Sequence, residues 1–382
     1  MRIAVFSTAR VPSRTANSIQ VLKVSQALQD LGHTVRLWVP GAAPREAWTE
    51  IAARYGIPGP IDIAWCGGVR WLRRYDYALR SFLQARMWGM DLCYAWPLQT
   101  AALASTLGVP TVLELHEVPQ GRFGPGLFRA YLRGRGARRL LPITASLRNQ
   151  VGAAYPLPPP PDFVQVAPMG VDLDRYQGLP EPHEARRLLG WPETLTVGYT
   201  GHLYAGRGID LLLKLALLRP QLRFVVVGGE PAAVERWRQE ARSAEAANLE
   251  FVGFVPNADL PRYQSACNVL VMPSQRHIAG SSGGDIGSVA SPMKVFEYLA
   301  TGRAILASDL PVFREVLSES NAVLAPPEDV DAWAQALEDL SAHPHRRARL
   351  GEQARSDAAQ YAWIERARRS LEGIDPGRQP GG

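Results

Sequence analysis

Two short segments of this chain place glycines, a cation and a helix start in the order that anion binding needs. In TGHLYAGRGIDLLLKLA, Gly201 opens a turn, Gly206 and Gly208 flank Arg207, and a helical apolar pattern begins at Ile209. A glycine turn lets backbone come close to a ligand. A helix start presents free N–H groups and the positive end of its dipole. Arg207 adds a planar fork of donors suited to phosphate oxygens. His202 follows Gly201 directly in the same turn.

The second segment is SSGGDIGSVASPMKVFEYLATGRAILASDLP. Ser281–Ser288 is a Gly/Ser loop, and Ser291 and Pro292 read as the N-cap and first position of a helix. Lys294 then falls in the first helical turn, where the dipole disfavours a cation. An anion in front of the helix would account for it. Glu297 lies one turn further along the same face, placed to accept hydrogen bonds from a ribose diol. Taken singly, each segment also fits a plain account: a structural Gly-Arg-Gly turn, and a solvated Lys–Glu pair. Taken together, one Arg and one Lys converging on helix starts at strand ends suit a diphosphate.

These residues need elements to hold them, and the chain supplies a regular alternation. Strand-like runs are read at 2–7, 34–39, 91–95, 111–115, 140–144 and 163–168, and again at 195–200, 223–227, 249–252, 269–272 and 304–307. Val21, Val24, Leu28 and Leu31 mark one face of a helix over 18–31, with Gly32 at its end. A second helix is read over 209–217. The alternation predicts an α/β protein with two mainly parallel sheets, each covered by helices on both faces. The Pro-rich run 156–161 precedes the last strand of the first half, and a polar stretch follows. The expected organisation is a first domain over 1–172, a linker over 173–190, a second domain over 191–360 and a C-terminal helix over 361–382 that packs back on the first domain and ends in a frayed tail.

Composition bounds the rest. Among 382 residues, 46% are hydrophobic and 20% charged, which is ordinary for a globular protein. No apolar run is long enough to span a bilayer, and the opening MRIAVFSTARVPSR reads as a first strand rather than a signal peptide, so a cytoplasmic location is expected. Cys66, Cys93 and Cys267 are odd in number and far apart, and read as buried thiols. The net charge of +6 is concentrated early: residues 1–180 hold roughly 20 Arg and Lys against roughly 11 acids. Lysine occurs only at 23, 214 and 294. The stretches 70–90 (with Trp71, Leu72, Phe82, Met87 and Trp88 among arginines) and 128–140 read either as a basic, aromatic face for an anionic membrane or as ordinary helices with solvated arginines. Basic runs such as RGRGARR are too short and common to argue for nucleic acid, and none is expected as a partner.

On these residues the sequence resembles the family 4 glycosyltransferases of the GT-B fold, over nearly its whole length. The stretches that carry the resemblance are PSRTANSIQVLKVSQALQDLGHTVRL, TVLELHE, VAPMGVDLDRY, TGHLYAGRGIDLLL, FVGFVPNADLPRYQSACNVLVMPS and, most specifically, SPMKVFEYLATGRAILASDLP. The resemblance implies two Rossmann-like domains facing each other across a cleft. It implies a nucleotide-diphosphate sugar donor, such as a UDP- or GDP-sugar, a carbohydrate or lipid-linked acceptor, retention of anomeric configuration, and no bound metal or other cofactor. Arg207 and Lys294 are then the diphosphate ligands and, with His116, the catalytic set. Glu297 holds the ribose, and the backbone near Phe254 and Val255 meets the base. Asn17 and Ser18 stand where many relatives have a glycine pair and open the first long helix toward donor and acceptor. Gly201, His202, Ser291 and Pro292 complete the donor site.

Two departures accompany the resemblance. His202 stands where the family usually has Arg. The family's paired acids, eight residues apart, would put the first acid at Val289; Asp285, four residues upstream, is the candidate substitute. Asp172 and Asp174 lie in the linker lead-in, away from the phosphate loops, so no metal-binding pair is read. Three other readings share many of these features: a sugar-nucleotide epimerase, a phosphorylase of the same fold, and a non-catalytic nucleotide-sugar-binding protein. A nicotinamide dehydrogenase is disfavoured, because no Gly-x-Gly-x-x-Gly follows the first strand.

Overall fold

The computed structural model describes residues 1–13, 15–69, 72, 74–158, 161–279, 285 and 287–374. The chain forms two units, one of Met1–Met169 with the chain from Trp363 onward, the other of Gly170–Ala362.

In the first unit the strands are β1 (Arg2–Phe6), β2 (Thr34–Pro40), β3 (Asp62–Cys66), β4 (Leu92–Ala95), β5 (Thr111–Leu115) and β6 (Ala137–Pro142). They pair in parallel in the order β3-β2-β1-β4-β5-β6. The central strands are buried throughout: β4 and β5 expose nothing, and β1 exposes only Arg2. Helices cover both faces of such a sheet, which is why its strands read as apolar runs without alternation.

In the second unit the strands are β7 (Thr196–Thr200), β8 (Arg223–Val227), β9 (Leu249–Gly253), β10 (Val269–Met272), β11 (Ala304–Ser308) and β12 (Val323–Ala325). Their order is β12-β11-β10-β7-β8-β9, again all parallel. Counted within its own unit, each sheet has the order 3-2-1-4-5-6 of a Rossmann-type doubly wound sheet. Its order reverses between β1 and β4, and between β7 and β10. Ligands of such sheets bind outside the carboxyl ends of the strands at that reversal.

Several expectations are corrected. Strands β3 and β12 were not read in the sequence. The run 163–168 is no strand: a 3-10 turn at Pro161–Phe163 leads into chain that pairs with β6 at a single bridge, Val164 to Leu140, beside backbone hydrogen bonds from Gln165 to Leu140 and from Ala167 to Pro142. The stretch 173–190 is not a free linker. It holds a 3-10 turn (Leu173–Tyr176) and a helix (Pro182–Leu189), and belongs to the second unit. Arg186 anchors that helix, donating to the Ala266 carbonyl at 3.1 Å and to Asn268 at 2.9 Å. The chain passes between units at Met169/Gly170 and Ala362/Trp363. The helix Trp363–Leu371 packs against the helix Ala16–Asp30 of the first unit. The tail 375–382 lies outside the described residues.

Candidate functional site

In the second unit, β7 ends at Thr200 and the chain turns through Gly201 into the loop that precedes the helix Ile209–Leu218. This loop is laced to the chain leaving β10: Gln275 donates to the Gly206 carbonyl at 2.9 Å and Ala279 to that of Ala205 at 3.2 Å. The glycines serve this packing. Gly208 has φ +74°, and a Cβ there would collide with the Pro273 carbonyl. Gly201 has φ +134°, and its missing Cβ leaves room for the Lys294 ammonium, which would otherwise lie 2.8 Å from it. The close approach these two glycines permit is therefore to the protein's own chain and to Lys294.

The second helix, Met293–Thr301, starts one residue later than read: Pro292 is its N-cap residue and Met293 the first helical position. Its Tyr298 hydroxyl accepts from the Thr200 N–H at 2.8 Å and from the Thr200 hydroxyl at 3.3 Å, pinning the helix to the end of β7. Lys294 is thereby carried over the ring of Tyr199, its Nζ 3.8 Å from the centroid. Lys294 makes no hydrogen bond or ion pair among the described residues. Burial, and then the charge of Arg207, hold its ammonium well below the usual lysine range, with Glu297 opposing. Arg207 is half-buried, and its buried Nε has no hydrogen-bond partner. Two cations thus stand close together at the sheet's reversal point, and neither has an ion-pair partner among the described residues.

The other lysines show the contrast. The Nζ of Lys23 donates to the Gly56 carbonyl at 2.6 Å, and Lys214 is exposed.

Glu297, on the same helix as Lys294, is buried. Its Oε1 accepts from Asn257 Nδ2 at 3.3 Å and its Oε2 from Gln264 Nε2 at 3.4 Å. Arg175 clamps Asn257 in turn, donating to both its side-chain and backbone carbonyls. Phe254 is exposed and Val255 half-buried, both just beyond β9. His202 stacks on Tyr204 at 4.8 Å, and its carbonyl accepts from the Tyr199 hydroxyl at 2.7 Å. Ser291 is half-buried beside the helix start.

Asp285 is engaged elsewhere. One oxygen accepts from the N–H groups of Ile278 (3.0 Å) and Gly287 (2.9 Å), and the other meets His277 Nδ1 at 2.7 Å. The His277 contact, then these N–H groups, hold its carboxyl down at about 2. Its visible work is closing a loop. Val289 is buried. Residues 280–284 of the Gly/Ser loop lie outside the described residues.

In the first unit, Trp96 and His116 follow the ends of β4 and β5. Ser18, in the first turn of the helix Ala16–Asp30, is fully buried. Its hydroxyl donates to the Thr15 and Ser13 carbonyls and accepts from Tyr55, so it secures the preceding loop. Asn17 is exposed. The aromatic face is only partly as expected. Phe82, Phe128 and Tyr131 point into the core, and Trp88 is packed edge-on to Trp38. Trp71 lies outside the described residues. The exposed apolar residues are Tyr75, Leu79, Leu83 and Met87, spaced by four along the helix Tyr75–Trp88, with Met87 81% exposed.

Sequence reasoning missed Tyr199, Asn257 and Gln264 as the partners of Lys294 and Glu297, and missed the surroundings of His116. Glu114 did leave a signal: it is a lone acid inside an apolar run that must be buried on both faces.

Comparison with known proteins finds relatives for both halves of the chain. Residues 18–175 match the family model described as Glycosyltransferase Family 4, and residues 194–343 the one described as Glycosyl transferases group 1. The D-inositol 3-phosphate glycosyltransferase of Stackebrandtia nassauensis is 30% identical over 54% of this chain and 47% of its own length, so the match spans about half of that relative. The phosphatidyl-myo-inositol mannosyltransferase of Mycolicibacterium smegmatis is 27% identical over 90% of this chain and 85% of its own. Among solved structures, Anabaena HepE in complex with UDP-glucose superposes with a TM-score of 0.73 at 16% identity, covering 97% of this chain and 98% of that one. Two Rossmann-like units of this kind define the GT-B fold. With one family model matched in each half, the chain belongs to the family 4 glycosyltransferases.

Proposed function

We propose that this enzyme takes a sugar from a nucleotide-diphosphate donor held by the second unit and transfers it, with retention of configuration, to a hydroxyl of a carbohydrate or lipid-linked acceptor. The observation that carries the reading is the pair Arg207 and Lys294: two neighbouring cations without an ion-pair partner among the described residues, one of them held by burial well below the usual lysine range. A protein keeps so costly an arrangement where a multiply charged anion relieves it. A diphosphate leaving group gains negative charge as the glycosidic bond breaks. Preorganised cations and helix N–H groups stabilise that charge most in the transition state. In this reading the two cations fill the role a divalent metal plays in other phosphate chemistry. Glu297, oriented by Asn257 and Gln264, takes the ribose diol, and His116 of the first unit serves the transferred sugar.

The relatives support the substrate class. HepE was solved in complex with UDP-glucose, and the Mycolicibacterium smegmatis relative is a phosphatidyl-myo-inositol mannosyltransferase. The helix Tyr75–Trp88 supports a membrane-facing acceptor. Its exposed apolar ridge is accompanied by exposed Arg74, Arg80 and Arg86, a combination that suits the surface of an anionic bilayer.

The test is isothermal titration with UDP, GDP and ADP, with and without magnesium, followed by turnover of the matching sugar donor. Binding of one nucleotide that magnesium does not alter, lost in Arg207→Ala, is the expected result. Absence of binding by all three would overturn the donor reading. Donor turnover without any acceptor molecule would favour an epimerase instead.

A further inference from the structure

At the ends of β4 and β5 lies a buried polar cluster around Glu114. Glu114, on β5, is fully buried. Its Oε1 lies 2.8 Å from Nη2 of Arg366, which is itself buried and comes from the C-terminal helix, 252 residues later in the chain. Arg366 also donates to the Pro168 carbonyl at 2.6 Å and the Ala167 carbonyl at 3.1 Å. The Tyr94 hydroxyl donates to Glu114 Oε2 at 2.5 Å, and the Gln20 amide donates to Oε1 at 2.5 Å. Burial alone would raise the Glu114 carboxyl, but Arg366, then His116 and Tyr94, outweigh it and hold the group at about 2. Glu114 is therefore ionised and can only accept hydrogen bonds.

This decides the state of His116. Its Nε2 lies 3.0 Å from Glu114 Oε1. Two donors, Trp96 Nε1 and Gln20 Nε2, also approach Nε2, each at the longer distance of 3.3 Å. With a bare lone pair on Nε2, the ring would face a carboxylate oxygen at hydrogen-bond distance, lone pair against charge. With a proton there, it gains a charge-assisted bond, and only the two long contacts are compromised. The proton belongs on Nε2. Nδ1 has no hydrogen-bond partner among the described residues, and the side chain is 28% exposed.

We propose that Glu114 and Arg366 are positioning residues that fix His116 as its Nε2–H tautomer, so that Nδ1 is the nitrogen offered to a donor hydroxyl of the transferred sugar. The C-terminal helix is then part of the working site, because it supplies the guanidinium that keeps Glu114 charged. This inference rests on the reading of His116 given above, and the experiment separates the two.

The tautomer is read directly from long-range 1H–15N correlations of the full chain labelled with 15N-histidine, with His116 identified by its loss in His116→Asn. The expected wild-type pattern is a protonated Nε2 and a lone-pair Nδ1. Glu114→Gln and Arg366→Met should mix the tautomers, while Arg366→Lys should restore the wild-type pattern. In donor turnover, Glu114→Gln should lower kcat by about 10-fold or more with donor KM within about twofold; a hydrolase triad that loses its orienting carboxylate falls by about 10^4. Should the substituted proteins fail to fold, the wild-type spectrum still decides. A proton on Nδ1 in the wild type, or an unchanged tautomer in a folded Glu114→Gln protein, would overturn the inference whatever the turnover. Full turnover in His116→Ala would instead remove His116 from the reaction, and with it the purpose proposed for Glu114 and Arg366, even where the tautomer is as expected.

Discussion

Replacing Lys294 by methionine should move stability in opposite directions with and without nucleotide. In the free protein the ammonium is desolvated and lies beside Arg207, with the Tyr199 ring and the charge of Glu297 offsetting this in part. Desolvating an ion costs several kcal/mol when complete, and the ring returns about 0.5–2 kcal/mol. Because Lys294 is only part-buried, we take the net burden as about 1 kcal/mol. Lys294→Met keeps the aliphatic volume and removes the charge. The ligand-free variant should therefore melt about 2–4 °C higher, the shift per kcal/mol for a unit of this size. With nucleotide at about 100 times its Kd, the wild type gains about 2.7 kcal/mol. A variant whose Kd has risen about 100-fold, as expected when a buried charge pair loses one member, gains only about 0.4 kcal/mol.

The pH dependence follows from the direction of the Lys294 shift. A lysine with a lowered folded pKa binds fewer protons than the unfolded chain between its folded value and about 10.4. Wild-type stability therefore rises with pH across that window, and the advantage of the methionine variant shrinks there. For the same reason nucleotide should bind best below the folded pKa and take up protons at higher pH. Differential scanning fluorimetry of both proteins from pH 7 to 10, with and without UDP or GDP, measures all of this. A variant that melts lower than wild type when free, yet keeps the full nucleotide shift, would refute the reasoning.

Four further outcomes are expected. Asp285→Asn should leave nucleotide affinity and turnover within about threefold, because an amide oxygen can still accept from Ile278 and Gly287; a hundredfold fall in kcat would make its charge part of the chemistry. Gly208→Ala should destabilise the protein by more than the ~1–2 kcal/mol of a left-handed alanine, since it also collides with the Pro273 carbonyl. Gly178→Ala, with φ +63° and open space around it, should show the backbone cost alone in thermal melts. The double change Leu83→Asp, Met87→Asp should abolish co-sedimentation with vesicles containing anionic lipid while sparing nucleotide binding; unchanged sedimentation, or none in the wild type, would remove the membrane face.

Much of the architecture was legible because parallel strands covered on both faces are short apolar runs, and these recur with helical patterns between them. The two strands that were missed show the limit. β3 (DIAWC) and β12 (VLA) lie at sheet edges, are short or half-exposed, and carry too little apolar signal. The run 163–168 carried the signal and formed no strand, because its backbone pairs with β6 at the single Val164 bridge rather than along a ladder.

The site divides in the same way. That Arg207 and Lys294 lie near glycine-containing segments at helix starts follows from residue type and spacing alone, since both are local properties of one strand–turn–helix unit. What each charge meets was decided only by the tertiary structure. Lys294 stacks on Tyr199, 95 residues away, because Tyr298 fastens its helix to the end of β7. Asp285, adjacent to the motif in sequence, turns instead to Ile278 and His277. Glu114 could be recognised as a buried acid, but its partner Arg366 comes from the far end of the chain, brought there by the packing of the last helix on the first. Local periodicity follows from the backbone geometry of one element, whereas a charge's partners depend on which distant elements share a core, and no spacing within a motif encodes that.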